Sequence, residues 1–227
     1  MMILIEGVLS AVQVAGIRRA TDAGDWCQGS STAGTAARQV KRNHQLDAVG
    51  EAARTVGEQV LHWLSAEPRF MARALPARIH PPLFNRHSVG EAYGDHIDSA
   101  LMALPGQGLS LRTDLSATLF LSEPDDYDGG ELQVCEGIDR RSVKGQAGDL
   151  VLYPSGAVHQ VTPVTRGTRH ACVLWIQSVV RDARQRELLL ELDACAQMQG
   201  VQAGAPDALT LRLNGLYHNL LRLWAQP

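Results

Sequence analysis

Two side chains in the stretch Tyr93-Gly94-Asp95-His96-Ile97-Asp98 are placed to share one metal ion: His96 and Asp98. On a β-strand, residues two apart point to the same face. A second imidazole, His159, lies far downstream beside the turn-forming run Tyr153-Pro154-Ser155-Gly156-Ala157, and Arg169 follows ten residues later. Two neutral imidazoles and one carboxylate are the donor set of non-haem ferrous oxygenases. Three ligands on one face of an octahedral ion leave three positions open. A 2-oxo acid fills two of them through its keto oxygen and C1 carboxylate, and dioxygen takes the third. Oxidative decarboxylation of the acid then generates an oxidant that removes hydrogen from a substrate and returns a hydroxyl. No protein general base is needed, so no catalytic residue is expected beyond the metal ligands His96, Asp98 and His159.

Arg169 opens an apolar strand on which Ala171, Val173 and Trp175 share its face. A guanidinium there is costly without an anion. The C5 carboxylate of 2-oxoglutarate supplies one through a planar bidentate pair that lysine cannot copy. Tyr93, three residues before His96, has two readings: its phenol bonds the cosubstrate carboxylate, or it fills the barrel. His87 and Arg86 are candidates for the substrate side. The remaining histidines read as structural: His62 partly exposed on a helix, His44, His80 and His218 in loop or surface settings, and His170 facing away from Arg169's side. The acidic run Glu123 to Asp128 lacks the spacing of an EF-hand, and Gly129-Gly130 lacks the P-loop pattern.

These groups need strands to hold them. Alternation and turn residues predict strands at Ala77–His80, Leu83–His87, Ala92–Asp98, Leu115–Ser122, Glu131–Cys135, Asp149–Tyr153, Val158–Pro163 and Arg169–Gln177. Regular short strands of this kind build a sandwich or barrel. Ile3–Ile5 reads as a further strand. Helical spacing predicts helices from Ser10 to Ala23 and from Asp47 to Ser65, the second ending before Pro68. Residues 27–44 are rich in Gly, Ser and Thr and carry Lys41, Arg42 and His44, so they form either a solvated loop or a lid over the site. After Ser178, Leu188 to Leu192 and the stripe Leu209, Leu213, Leu216, Leu220 and Leu223 predict two helices that pack on the barrel or on a second copy in a homodimer. The expected organisation is one domain over 1–227. A helical buttress (1–70) and a C-terminal helical segment (179–227) flank a β core (71–178).

Bulk properties exclude several classes. A net charge of -3 over 227 residues carries no basic excess for nucleic acid or an anionic membrane. No apolar run approaches the roughly 18 residues of a membrane span, and the opening MMILIEGVLS lacks the basic start of a signal peptide. Cys27, Cys135, Cys172 and Cys195 are scattered, with no C-x-x-C pair, and read as small buried apolar groups in a reducing, cytoplasmic setting. Trp26, Trp63, Trp175 and Trp224 read as core aromatics.

Three segments carry a family resemblance: Phe84-Asn85-Arg86 with Tyr93 to Asp98; Arg112 to Leu121 with Asp128-Gly129-Gly130-Glu131-Leu132; and Tyr153-Pro154, His159, Pro163, Gly167, Arg169 and Trp175 to Ser178. The Tyr217 to Arg222 tail adds a fourth. Together they resemble the Fe(II)- and 2-oxoglutarate-dependent dioxygenase superfamily, and within it the bacterial PKHD-type hydroxylases related to prolyl 4-hydroxylases. The resemblance implies a mainly β, double-stranded β-helix (jelly-roll) core with flanking α-helices. It implies Fe(II), 2-oxoglutarate and L-ascorbate as cofactors and a hydroxylase incorporating O2. It also implies a small-molecule or peptidyl substrate and a link to iron uptake. One departure stands out: His87 replaces the Tyr expected after Arg86, which sets an extra imidazole near the site mouth. Two other classes share the pattern. A cupin-type isomerase would offer His-x-His and Glu ligands in place of His96, Asp98 and Arg169. A non-catalytic iron or 2-oxo-acid sensor would use the same four residues.

Overall fold

The computed structural model describes residues 2–32, 34, 38–204 and 207–226. Its strands are β1 (Ile3–Ile5), β2 (Trp26–Gln28), β3 (Lys41–Arg42), β4 (His44–Leu46), β5 (Pro76–Ile79), β6 (Leu83–His87), β7 (Ala92–His96), β8 (Leu101–Leu104), β9 (Leu109–Arg112), β10 (Leu115–Phe120), β11 (Tyr127–Gly129), β12 (Leu132–Glu136), β13 (Asp139–Val143), β14 (Leu150–Pro154), β15 (His159–Val161), β16 (Val164–Gly167) and β17 (Arg169–Ser178). The large sheet runs β1-β14-β10-β17-β6-β4-β2, with β5 beside β17, and the small sheet runs β13-β12-β15-β7-β3. The hairpin β8-β9 and the pair β11-β16 stand apart.

Sequence alternation on β10 explains how the sheets stack. Leu115, Ala117 and Leu119 point outward and join Cys172, Leu174 and Ile176 of β17 in the main core. That outer face is covered by α1 (Ala11–Asp22), α2 (Glu51–Ser65) and α3 (Pro68–Ala74), through Ile17, Val56, Val60, Leu64 and Phe70. The spacing of Val56, Val60 and Leu64 puts one apolar stripe of α2 against the sheet. Ser116, Thr118 and Phe120 point inward. Phe120, Val151 and Tyr153 meet Leu132 and Val134 of the small sheet in an inner core.

Several expectations are corrected. Pro68 does not merely follow a helix. It is the first residue of α3, where its missing N–H costs nothing, and the Glu67 side chain caps that helix. The 27–44 segment is not one loop: β2, β3 and β4 lie in it and β4 joins the large sheet beside β6. Residues 33 and 35–37 of the expected lid lie outside the described residues. Among the cysteines only Cys172 is buried, and Cys27 and Cys195 are exposed. His80 is buried, its Nδ1 2.8 Å from the Pro81 carbonyl oxygen, and none of the four tryptophans is fully buried. The C-terminal helices α4 (Ala183–Ala203) and α5 (Ala208–Trp224) pack against each other, leaving Leu209, Leu216 and Leu223 exposed. No helix among the described residues is long and apolar enough to cross a membrane.

Candidate metal centre

β7 and β15 are antiparallel neighbours in the small sheet, with His96 directly opposite His159. The two imidazoles therefore face each other as adjacent strand partners, with ring centres 4.1 Å apart. Asp98 lies beyond the end of β7, which stops at His96 and not at Asp98 as expected, because the backbone leaves the ladder there. The Asp98 N–H instead donates to the Ser155 carbonyl at 3.2 Å, which ties it to the turn preceding His159. One candidate ligand atom from each of His96, Asp98 and His159 lies within 4.8 Å of the others. His159 Nε2 is 3.7 Å from Asp98 Oδ2.

Hydrogen bonds decide which atoms face inward. His96 Nδ1 is 2.8 Å from the Gly94 carbonyl oxygen, and His159 Nδ1 is 3.0 Å from that of Ala157. A carbonyl only accepts, so each Nδ1 carries a proton, which leaves Nε2 as the atom each ring can turn to a metal. Burial, and next the neighbouring His159, push the His96 imidazole down to about 4, so it is neutral at physiological pH. The carboxylate is oriented too. Ser116 Oγ donates to Asp98 Oδ2 at 2.5 Å and lies 2.8 Å from Ser155 Oγ. Two imidazole Nε2 atoms and one oriented carboxylate on one side of a small space fit a ferrous ion. Replacing Ser116 with alanine leaves the ligands in place but frees the Asp98 carboxylate. Metal affinity is expected to fall by roughly 10- to 100-fold in a competition titration with a fluorescent chelator.

The triad opens into a cavity of about 310 Å³. Arg169 lines it from β17 and is 2 % exposed; its Nε and Nη2 make no hydrogen bond of good geometry among the described residues, and the buried Tyr127 phenol, likewise without one, lies beside the guanidinium. Burial pushes its guanidinium pKa down, and the Phe120 ring lies 5.6 Å away. Gly130, at a φ of +61°, packs so close that a Cβ there would stand 3.1 Å from Arg169 Cδ. Desolvated guanidinium donors in a cavity fit a ligand carboxylate. Tyr93 stacks on His96 at 3.5 Å between ring centres, and burial, then Asp98, raise its phenol so that it keeps its proton.

His87 pairs with Arg169 in register across β6 and β17 and is 2 % exposed. It therefore sits at the Arg169 end of the cavity and not at the mouth. Neither of its ring nitrogens has a partner among the described residues, and burial, then Arg169, hold its imidazole well below the usual histidine range. Arg86 is corrected. As His87's neighbour on a strand it must face the other way, and its guanidinium lies 4.7 Å over the Trp26 ring, away from the cavity. His170 also faces outward, near Trp26. His44 is on β4 with Glu91 2.9 Å from its Nδ1. Residue-type reasoning missed Ser116, Gln45 and Asn85, which also line the cavity, and Lys41, expected on a solvated loop or a lid, lines it from β3. Ser116 had a signal: polar Ser116 and Thr118 alternate with apolar Leu115, Ala117 and Leu119, which marks a second face with work to do.

Comparison with known proteins agrees with this geometry. Residues 82–177 match the family model of the 2OG-Fe(II) oxygenase superfamily, and residues 182–226 match that of the PKHD-type hydroxylase C-terminal domain. A PKHD-type hydroxylase of Acidovorax ebreus is 49 % identical over the whole of both chains. The chain belongs to the PKHD-type hydroxylase family. Among solved structures, a Pseudomonas putida prolyl-4-hydroxylase aligns at a TM-score of 0.53 and 21 % identity, covering 78 % of this chain and 92 % of its own. HygX of Streptomyces hygroscopicus, with nickel and 2-oxoglutarate bound, aligns at a TM-score of 0.52 and 16 % identity, covering 78 % and 83 %. These likenesses show the shared fold. The PKHD-type chain has the mainly β jelly-roll core with flanking helices that its sequence implies.

Proposed function

We propose that this PKHD-type chain hydroxylates a substrate carbon with Fe(II) and 2-oxoglutarate. The observation that carries the reading is that His96, Asp98 and His159 converge in the same cavity as the buried, unpartnered donors of Arg169. Bound iron and 2-oxoglutarate supply the oxidising chemistry: one O2 and one 2-oxoglutarate are consumed, one oxygen atom goes into the new C–OH bond, and succinate and CO2 leave. The protein's part is to bind, orient and exclude water. Nε2 of His96 and of His159 and a carboxylate oxygen of Asp98 hold the ion, and Ser116 fixes the carboxylate. Arg169 takes the distal carboxylate of the cosubstrate, and the Tyr93 phenol, stacked on His96 in the same cavity, is a second donor for it. Ile97, Met102 and Trp175 supply apolar surface on the Asp98 side, and the Trp175 indole N–H, buried and without a partner among the described residues, offers a substrate one donor. L-Ascorbate re-reduces iron oxidised in uncoupled turnover. The substrate is a small molecule or a peptidyl side chain, and the family resemblance favours one tied to iron uptake, in the cytoplasm.

Incubation with Fe(II), ascorbate, O2 and 2-oxoglutarate is expected to release succinate, and fractions of cell extract that contain the substrate accelerate it. A protein that binds iron and 2-oxoglutarate but releases no succinate with any fraction is a sensor.

A further inference from the structure

The cavity that holds Arg169 has a second cation in its wall. Lys41 enters it from β3, opposite Tyr93 of β7, and is 9 % exposed. Its Nζ donates to Gln45 Oε1 at 3.3 Å and lies 5.4 Å from the Tyr93 ring centre. Gln45 pairs in register with Asn85, and Asn85 with Ala171, so Lys41 reaches the wall of the cavity just beside the Arg169–His87 rung. The charges of Arg169 and of Lys41 both bear on the His87 imidazole. His87 Nδ1 and Nε2, Asn85 Oδ1 and two Arg169 nitrogens are buried there without partners among the described residues. Burial lowers Lys41 to about 8, with Asp98 opposing. The same cavity wall thus carries two cations and these unpartnered polar atoms, and an anion reaching them is stabilised by both charges.

We propose that Lys41 is a second cation for the distal carboxylate of the cosubstrate, acting with Arg169 across the neutral His87. The inference rests on the 2-oxoglutarate reading and adds a binding residue from the N-terminal segment to that subsite. Lys41 thus selects for a 2-oxo dicarboxylate over a 2-oxo monocarboxylate of equal length.

The test is calorimetric titration of Mn(II)-loaded protein with 2-oxoglutarate and with 2-oxopentanoate, which keeps the chelating end and lacks the far carboxylate. Wild type prefers 2-oxoglutarate. Lys41→Met is expected to shrink that preference by roughly tenfold or more, the worth of a hydrogen bond to a charged group, and Lys41→Arg, which keeps the charge, to retain most of it. Equal weakening of both acids in Lys41→Met means a structural role and overturns the proposal. An unchanged preference overturns it as well, and leaves Lys41 to a carboxylate on the substrate or to none. If Arg169→Ala loses the preference while Lys41→Met keeps it, the inference fails and the 2-oxoglutarate reading stands. If wild type itself shows no preference, both fail.

Discussion

Replacing Arg169 with alanine is expected to weaken 2-oxoglutarate binding by about 3–5 kcal/mol, or roughly 150- to 5,000-fold. The size follows from burial. Arg169 is 2 % exposed, and two of its nitrogens lack partners among the described residues, so a ligand carboxylate reaching it is desolvated with it. Alanine leaves that carboxylate buried beside Phe120 with its main partner gone. Solvent screening, which shrinks the worth of surface pairs to a kcal/mol or less, offers little relief there. Arg169→Lys recovers only part of the loss, because an ammonium cannot form the planar two-bond pair. Calorimetry on the Mn(II)-loaded variants reads the effect directly. Near-normal affinity in Arg169→Ala removes this residue from the cosubstrate site.

Replacing His96 with alanine is expected to abolish stoichiometric iron binding. Removing a group that only orients a ligand costs roughly 10- to 100-fold in metal affinity, and removing the ligand itself costs more. The imidazole is neutral at physiological pH, its tautomer is set by the Gly94 carbonyl, and its Nε2 is one of three convergent donors, with no fourth in that group among the described residues to replace it. Asp95, the adjacent carboxylate, is turned away and paired with Arg140 at 2.8 Å. Metal analysis after anaerobic loading and desalting should show about one iron per wild-type chain and close to none in the variant. Full metal content in His96→Ala breaks the ligand assignment.

Much of this arrangement is legible in the sequence because it rests on short-period rules. The expected strand Leu83–His87 coincides with β6, and the Val56, Val60, Leu64 stripe marks the buried face of α2. The two-residue spacing of His96 and Asp98 puts both on one side even though Asp98 has left the strand. The same alternation rule separates Arg86 from His87: adjacent strand residues cannot both face the cavity, and only His87 does. Other features need three dimensions. Strands β3 and β4 are two and three residues long in a polar segment, too short for alternation to register, so Gln45 gives no sign of entering the cavity and Lys41 is legible only as a basic group of a loop or lid. The β8-β9 hairpin was likewise invisible, since four-residue strands with Leu101 and Leu109 exposed carry no clear pattern. The leucine stripe of α5 is amphipathic in sequence yet half exposed in the fold, because amphipathicity names a face and not what covers it.

The account stands on one claim: three side chains from β7, its exit and β15 hold a single ion that shares its cavity with Arg169. An anaerobic crystal structure of the protein loaded with Fe(II) and 2-oxoglutarate tests it most directly. One ion bound by His96 Nε2, His159 Nε2 and an Asp98 oxygen, with the cosubstrate chelating it and its far carboxylate on Arg169, is the result expected. Iron bound elsewhere, or 2-oxoglutarate seated away from both the ion and Arg169, contradicts it.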